Sequence, residues 1–227
     1  MHAGISDKGG GNLVRKNDKD RVTHKKTPRN SYRPTRCIIG FDQSYTRTGI
    51  SISVDGKLKK VTSEPFKKLT NKSQKRLKIA EDTNKVIQSC LKKFEPQEIT
   101  IIVERIRTYT AGQDLRPEFL KSQGALIATI VDVAYQYGIK VWSVDTRCWK
   151  SRILGTSRPI FEPVPGVKDP QKFGSVRKVI DLGFKESLEI RRGGSNAVFS
   201  LNDDAADSAC IALYGHSGDP YQLIIEQ

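Results

Sequence analysis

Two short apolar runs in this chain each end in a carboxylate: CIIGFD closes on Asp42 and ITIIVE closes on Glu104. Near-continuous apolar runs of this length read as strands bound for the interior of a sheet. A charge there is costly, because desolvating a lone carboxylate costs several kcal/mol or forces it to neutralise. A third acidic element lies in LNDDAADSACIALYG, where Asp204 and Asp207 stand three residues apart, one turn of a helix. Each has an ordinary explanation taken alone. Asp42 could form a turn, Glu104 could pair with Arg105 on the surface, and Asp203, Asp204 and Asp207 could complement a helix dipole. The helix body argues otherwise for the last group: Ala205, Ala206, Ala209, Cys210, Ala212 and Leu213 make it mostly apolar, so some of its charges point where water is scarce. Three such elements converging on one place would repel one another unless a cation lay between them. Hard oxygen ligands completed by water suit Mg²⁺ or Mn²⁺. Whether Asp203 or Asp204 completes the set stays open at this level.

The charge balance narrows the partner. The chain carries a formal net charge of +14 over 227 residues. Residues 1–36 hold ten Lys or Arg against three Asp, so half of the excess lies in the first sixth of the chain. A basic tail on a basic body points to a polyanion, nucleic acid by default. An acidic cluster inside a basic protein is the charge layout of a nuclease, in which phosphates are drawn to a metal. Cys37, Cys90, Cys148 and Cys210 are scattered without CxxC spacing and read as reduced residues of an intracellular, cytoplasmic protein. His2, His24 and His216 lie far from the carboxylates in sequence, which argues against a zinc site or a histidine base. No run approaches the ~18 apolar residues of a membrane span, and no signal-peptide core is visible, so no membrane partner is expected.

Residues 1–35 read as a basic flexible tail, too poor in apolar residues to offset the entropy of ordering and suited to tether DNA non-specifically. Residues 36–227 read as one domain. CIIGFD, TGISISV and KLKKVTSEPF are three short strands in a hairpin meander. From Lys72 to Phe94, Leu77, Ala80, Ile87, Leu91 and Phe94 recur at helical spacing. ITIIVE follows as a central strand, residues 116–137 as a long helix, and VWSVD as a fifth strand. TSRPIFEPVPGVKDP is a loop, DPQKFGSVRKVIDLGF a short helix, ESLEIRRGGSNAVFS a polar connection, and 203–214 the closing helix. The sum is an α/β domain with a five-stranded mixed sheet flanked by helices. From Ala125 to Tyr135 only Thr129 and Asp132 interrupt an apolar run. A helix apolar nearly all round is buried on a second side, and the small Gly124, Ala125 and Ala128 would let a partner approach, so a homodimer is expected.

In this order the motifs resemble RuvC-type Holliday junction resolvases of the RNase H-like superfamily. Within that group the likeness is nearest to phage-encoded RuvC-like branched-DNA endonucleases. GFDQSYTRTGISIS resembles the family's first strand and hairpin with its catalytic Asp, IIVERI its strand with the catalytic Glu, and DDAADSACIAL its final helix with a D-x-x-D pair. KSQGALIATIVDVAYQYG resembles its dimer-interface helix. TRCWKSRILG and KDPQKFGSVRKVI resemble its basic segment. The resemblance implies a metal-dependent endonuclease that nicks branched DNA (Holliday junctions, Y-junctions or forks) as a homodimer. Asp42, Glu104, Asp204 and Asp207 would then hold two Mg²⁺ ions, or Mn²⁺ in their place, about 3.5–4 Å apart. Hydrolysis would leave 5′-phosphate and 3′-hydroxyl ends, with Lys150 and Lys172 offsetting charge on the scissile phosphate. Arg107, Tyr109, Lys150, Arg152, Lys172, Arg177 and Lys178 would contact DNA. Two rivals differ in class. An actin-like ATPase or kinase shares the opening hairpin but needs glycine-rich phosphate loops, and QSYTRTG has one glycine. A non-catalytic DNA-binding protein on a degenerate nuclease fold would have no use for the full acidic set.

Overall fold

The computed structural model describes residues 34–66, 69, 71–106, 117–158, 162–191, 198–217 and 221–222. Residues 1–33 of the expected tail therefore lie outside the described residues, as do Arg107 and Tyr109, while the Pro34 and Thr35 carbonyls accept from the Gln97 and Glu98 N–H groups. Strands β1 (Arg36–Asp42), β2 (Arg47–Val54) and β3 (Lys57–Pro65) form the expected antiparallel meander. Asp55 and Gly56 both take positive φ, 46° and 77°, the backbone of a two-residue hairpin whose twist matches its strands. The Asp55 carboxylate accepts from the Arg36 backbone N–H at 2.9 Å, tying that turn to the start of β1. β4 (Glu98–Glu104) and β5 (Lys140–Val144) continue the sheet in parallel on the other side of β1. The order β3-β2-β1-β4-β5 is the five-stranded mixed sheet expected, and a two-residue strand, β8 (Tyr221–Gln222), extends it antiparallel beyond β5.

Side-chain alternation divides the sheet into two faces. Cys37, Ile39, Phe41, Ile101 and Val103 pack under α1 (Lys72–Phe94) and α2 (Pro117–Tyr135). α1 has the boundaries that the spacing predicts. Asn71 caps it by accepting from the Gln74 N–H, and Glu95 ends it in the left-handed region. Its buried face differs from expectation, being Ile79, Thr83, Val86, Ile87 and Cys90, while Leu77 and Leu91 are 63% and 44% exposed. The buried Asp82 and Thr83 interrupt the apolar stripe in sequence and hide its phase. On the opposite face Ile38, Ile102 and Val144 meet α3 (Thr146–Leu154) and α6 (Asp203–Ser217), and α4 (Phe173–Asp181) packs against α6. The expected polar connection is instead a short helix, α5 (Lys185–Leu188), and a hairpin of β6 (Glu189–Arg191) and β7 (Val198–Leu201). Leu188 and Leu201 explain it, since both are buried among Val176, Ala205 and Ala209.

α6 lies directly on the backbone of β1 and β2. A Cβ at Gly40 would collide with the Ser208 carbonyl and the Ala212 amide, and one at Gly49 with the Asp204 carbonyl. Hydroxyls complete the contact. Ser51 Oγ lies 2.7 Å from Ser208 Oγ, and Ser53 Oγ donates to the Ala212 carbonyl at 2.8 Å. Asn202 starts the helix, its Oδ1 accepting from the Ala205 N–H and its amide donating to Ser63 on β3. Overpacking a rigid backbone contact costs ~1–3 kcal/mol. Gly49→Ala is accordingly expected to lower the urea midpoint by that equivalent at unchanged m-value, whereas a midpoint equal to wild type would show that α6 can move away freely.

Candidate active site

The parallel register of β1 and β4 pairs Gly40 with Ile102 and Phe41 with Val103, so Asp42 and Glu104 end neighbouring strands side by side. Alternation places Asp42 on the face of Ile38 and Gly40, and Glu104 on the face of Ile102, which is the face that α6 covers. The missing side chain at Gly40 and the small residues of α6 bring the first turns of that helix, with Asp204 and Asp207, down beside them. Asp42 and Asp207 are only 8% and 2% exposed. Lys172 ends a 3-10 turn (Pro170–Lys172) that leads into α4. Its ammonium donates to Asp207 Oδ2 and stands 3.6 Å from Asp42 Oδ2. Glu104 is oriented from two sides. Its Oε1 accepts from the indole N–H of the fully buried Trp149 at 3.1 Å, and its backbone carbonyl accepts from the Gln43 amide at 2.7 Å.

Charge crowding is visible in the acids. Burial pushes the Asp42 carboxyl well above its ordinary value, Lys172 pulls it down, and Glu104, Asp207 and Asp204 push it up again. Asp204 rises to about 6, through burial and the neighbouring Asp203, against the pull of Lys172 and Arg47. Burial alone would lower the Lys172 ammonium, but Asp207 and Asp42 outweigh it and hold the lysine firmly charged. Asp204 and Asp207 thus bear on Asp42, and Lys172 answers all three.

Two observations fit a hard cation. Asp42 Oδ2 and Asp207 Oδ1 are buried without a hydrogen-bond donor, as is Gln43 Oε1, and the donor set is all oxygen. Among the described residues no three His, Cys, Asp or Glu side chains converge tightly enough to form a finished metal cage, and the ammonium of Lys172 occupies the space between two of the acids.

The remaining sequence candidates are spread around this centre. Lys150 donates to the Gln171 carbonyl at 3.0 Å and lies over the Trp149 ring, so it braces the turn that carries Lys172 rather than meeting the acids. Arg152 is exposed at the end of α3, Lys178 is half-buried on α4, and Arg177 pairs with Glu162. Sequence reasoning missed Trp149, Gln43 and Arg47. Gln43 adjoins Asp42, and WK in TRCWKSRILG places an aromatic beside the singled-out lysine, but neither contact is local in sequence. A groove of about 650 Å³ opens beside the loop that follows Asp42, lined by Tyr45, Phe119, Lys72 and Lys75 among others. Aromatic and basic side chains in one groove suit a single nucleic-acid strand.

No family model matches the chain, and no curated protein matches it in sequence. Solved structures do match. RuvC of Thermus thermophilus aligns with a TM-score of 0.54 at 18% identity, covering 82% of this chain and 99% of that one. T. thermophilus RuvC in complex with a Holliday junction substrate aligns with a TM-score of 0.52 at 16% identity, covering 83% and 99%. The fold is therefore that of the RNase H-like α/β class, in its RuvC form.

The raised Asp204 pKa has a consequence for stability. Between its ordinary value of 3.8 and about 6 the acid is neutral in the fold but ionised in the unfolded chain. Its cost to stability is thus absent below about pH 4, grows through that window, and is complete above about pH 6. A displacement of that size corresponds to ~2–3 kcal/mol. Asp204→Asn should stabilise the metal-free protein by up to that amount at pH 8 and not at pH 4, read by urea unfolding in chelator. Equal effects at both pH values would mean that charge is not the cause.

Proposed function

We propose that this protein is a metal-dependent endonuclease that nicks branched DNA. One observation carries the reading: four carboxylates from three separate elements gather at the end of the central strands, inside a strongly basic chain with a RuvC fold. Asp42, Glu104, Asp204 and Asp207 are the residues that would hold Mg²⁺ or Mn²⁺, two ions per site. When bound, the metal would supply a water of lowered pKa and neutralise charge on the leaving oxygen, giving 5′-phosphate and 3′-hydroxyl ends.

The chain's own residues prepare that chemistry. Trp149 and Gln43 fix the Glu104 side chain and backbone, so one carboxylate is oriented before anything binds. Asp207 is held by Lys172 on one oxygen and keeps the other without a donor. Lys172 brings positive charge to the place where a phosphate would lie, and Lys150 supports its turn from behind. Arg152 at the end of α3 and Lys178 on α4 would supply positive charge for the sequence-independent part of DNA binding, and Arg177 would do so on release from Glu162. The groove with Tyr45 and Phe119 offers stacking faces to a strand that leaves the duplex at a branch. The neighbour of the same fold bound to a Holliday junction supports a four-way or related junction as the substrate class.

The reading is tested by Mg²⁺-dependent nicking of a labelled branched duplex. Asp42→Asn, Glu104→Gln and Asp207→Asn should each reduce cutting by ~10²–10³-fold or more, since each carboxylate would hold the cation that stabilises the reacting phosphate and loss of one such stabilisation costs on that order. DNA affinity should stay near wild type because it rests on the basic surface. Retained cutting in Asp42→Asn would remove the assignment, and wild-type binding without nicking would favour a non-catalytic DNA-binding protein.

A homodimer through α2 belongs to the same proposal. Leu126, Ile127, Ile130, Val133 and Ala134 face the core, while Gly124, Ala128 and Val131 form a half-buried stripe at helical spacing that ends at the exposed Tyr135. A second copy on that stripe would place two active sites on two strands of a junction. Sedimentation should give twice the 25.4 kDa chain mass, and Ala128→Glu should return it to one. A monomer at micromolar concentration with and without DNA would exclude this interface.

A further inference from the structure

The cation nearest the acidic cluster is one that the chain carries itself. Lys172 reaches between Asp42 and Asp207, the two most deeply buried acids of the set, donating to Asp207 Oδ2 and standing 3.6 Å from Asp42 Oδ2. Its base is fixed. Asp169 caps the 3-10 turn by accepting from the Gln171 N–H at 2.9 Å, and Ser175 Oγ donates to the Lys172 carbonyl at 3.0 Å. The side chain itself is long, flexible and still 23% exposed, so it has a way out to solvent. Of the other cations nearby, Lys150 is engaged on the Gln171 carbonyl.

A divalent ion coordinated by these acids would need oxygen ligands at roughly 2.0–2.6 Å. Asp207 Oδ2 already accepts a hydrogen bond from the ammonium, and Asp42 Oδ2 lies at ion-pair range of it. An ammonium and a divalent ion therefore compete for the same oxygens. Two cations packed there together would repel strongly in a site with little water. With neither cation the ionised acids would repel one another, so the cluster favours having one of the two in place.

We propose that Lys172 is an exchangeable internal counter-ion. Its ammonium holds Asp42 and Asp207 together in the metal-free protein. A divalent metal displaces it, and the released lysine is then free to meet a DNA phosphate. The inference rests on the carboxylates being a metal site. Metal affinity is weakened by the competition, and the lysine becomes available only once the metal has arrived.

Two measurements without DNA test it. Full-length wild type and Lys172→Met are titrated with Mn²⁺ by calorimetry, with Lys59→Met, at an exposed position of β3, as a control for general loss of positive charge. Lys172→Met should bind Mn²⁺ at least ~10-fold more tightly than wild type, and Lys59→Met should match wild type. In wild type, acylation of lysine amines followed by mass spectrometry should find Lys172 slow to react without metal and several-fold faster in Ca²⁺. Equal or weaker Mn²⁺ binding by Lys172→Met overturns the proposal while leaving the metal site intact, as does unchanged or slower acylation of Lys172 in Ca²⁺. Failure of wild type and Lys172→Met alike to bind Mn²⁺ would remove the metal site and this proposal together. Should Lys172→Met fail to fold, acylation of wild type decides alone.

Discussion

The contact between α6 and the bare backbone of β1 and β2 sets the dimensions of everything around the acidic cluster. Gly40 and Gly49 leave no side chain beneath the helix, and Ala205, Ala209 and Ala212 add little above it. Helix and sheet therefore meet closer than side chains of ordinary size would permit. That closeness carries Asp204 and Asp207 to the ends of β1 and β4, where Asp42 and Glu104 already stand. Serine pairs such as Ser51 with Ser208 satisfy the polar groups that so tight a junction buries.

The cluster is held at a cost to the rest of the molecule. Burial raises the Asp42 and Asp204 carboxyls, and the neighbouring acids add to the effect. Lys172 offsets part of this, and Trp149 spends the one hydrogen bond of a fully buried indole on orienting Glu104. Local conflict of this kind, tolerated by a consistent surrounding core, is how functional sites commonly differ from the scaffold that supports them. The two cores flanking the sheet supply that consistency, since each strand of β1 and β4 alternates cleanly between them.

The likeness to RuvC extends over nearly the whole of those chains at under one identical residue in five. A fold persists through such divergence when volume, patterning and a few close contacts are kept, because cores accept wide substitution of apolar residues. The proposed activity is correspondingly carried by the placement of a few charged side chains on that scaffold, not by the scaffold itself.

What was legible in the chain was local. The apolar runs ending in Asp42 and Glu104, the Asp55-Gly56 hairpin and the span Lys72–Phe94 depend on neighbours within a few residues, so pattern and turn chemistry suffice to read them. The buried face of α1 was not legible, because Asp82 and Thr83 are polar residues that the tertiary structure buries. Nor was the β6–β7 hairpin, whose reason is the burial of Leu188 and Leu201 against helices far along the chain. The same division runs through the site. The residues themselves marked out the acids as chemically unusual, and the family resemblance added Lys172 beside Lys150. Only the folded chain decided that Lys172 lies between Asp42 and Asp207, that Trp149 holds Glu104 across 45 residues, and that Lys150 braces a turn. Those contacts join segments whose separation in sequence carries no distance information, and Asp207 reaches Asp42 because two glycines let one helix approach one sheet.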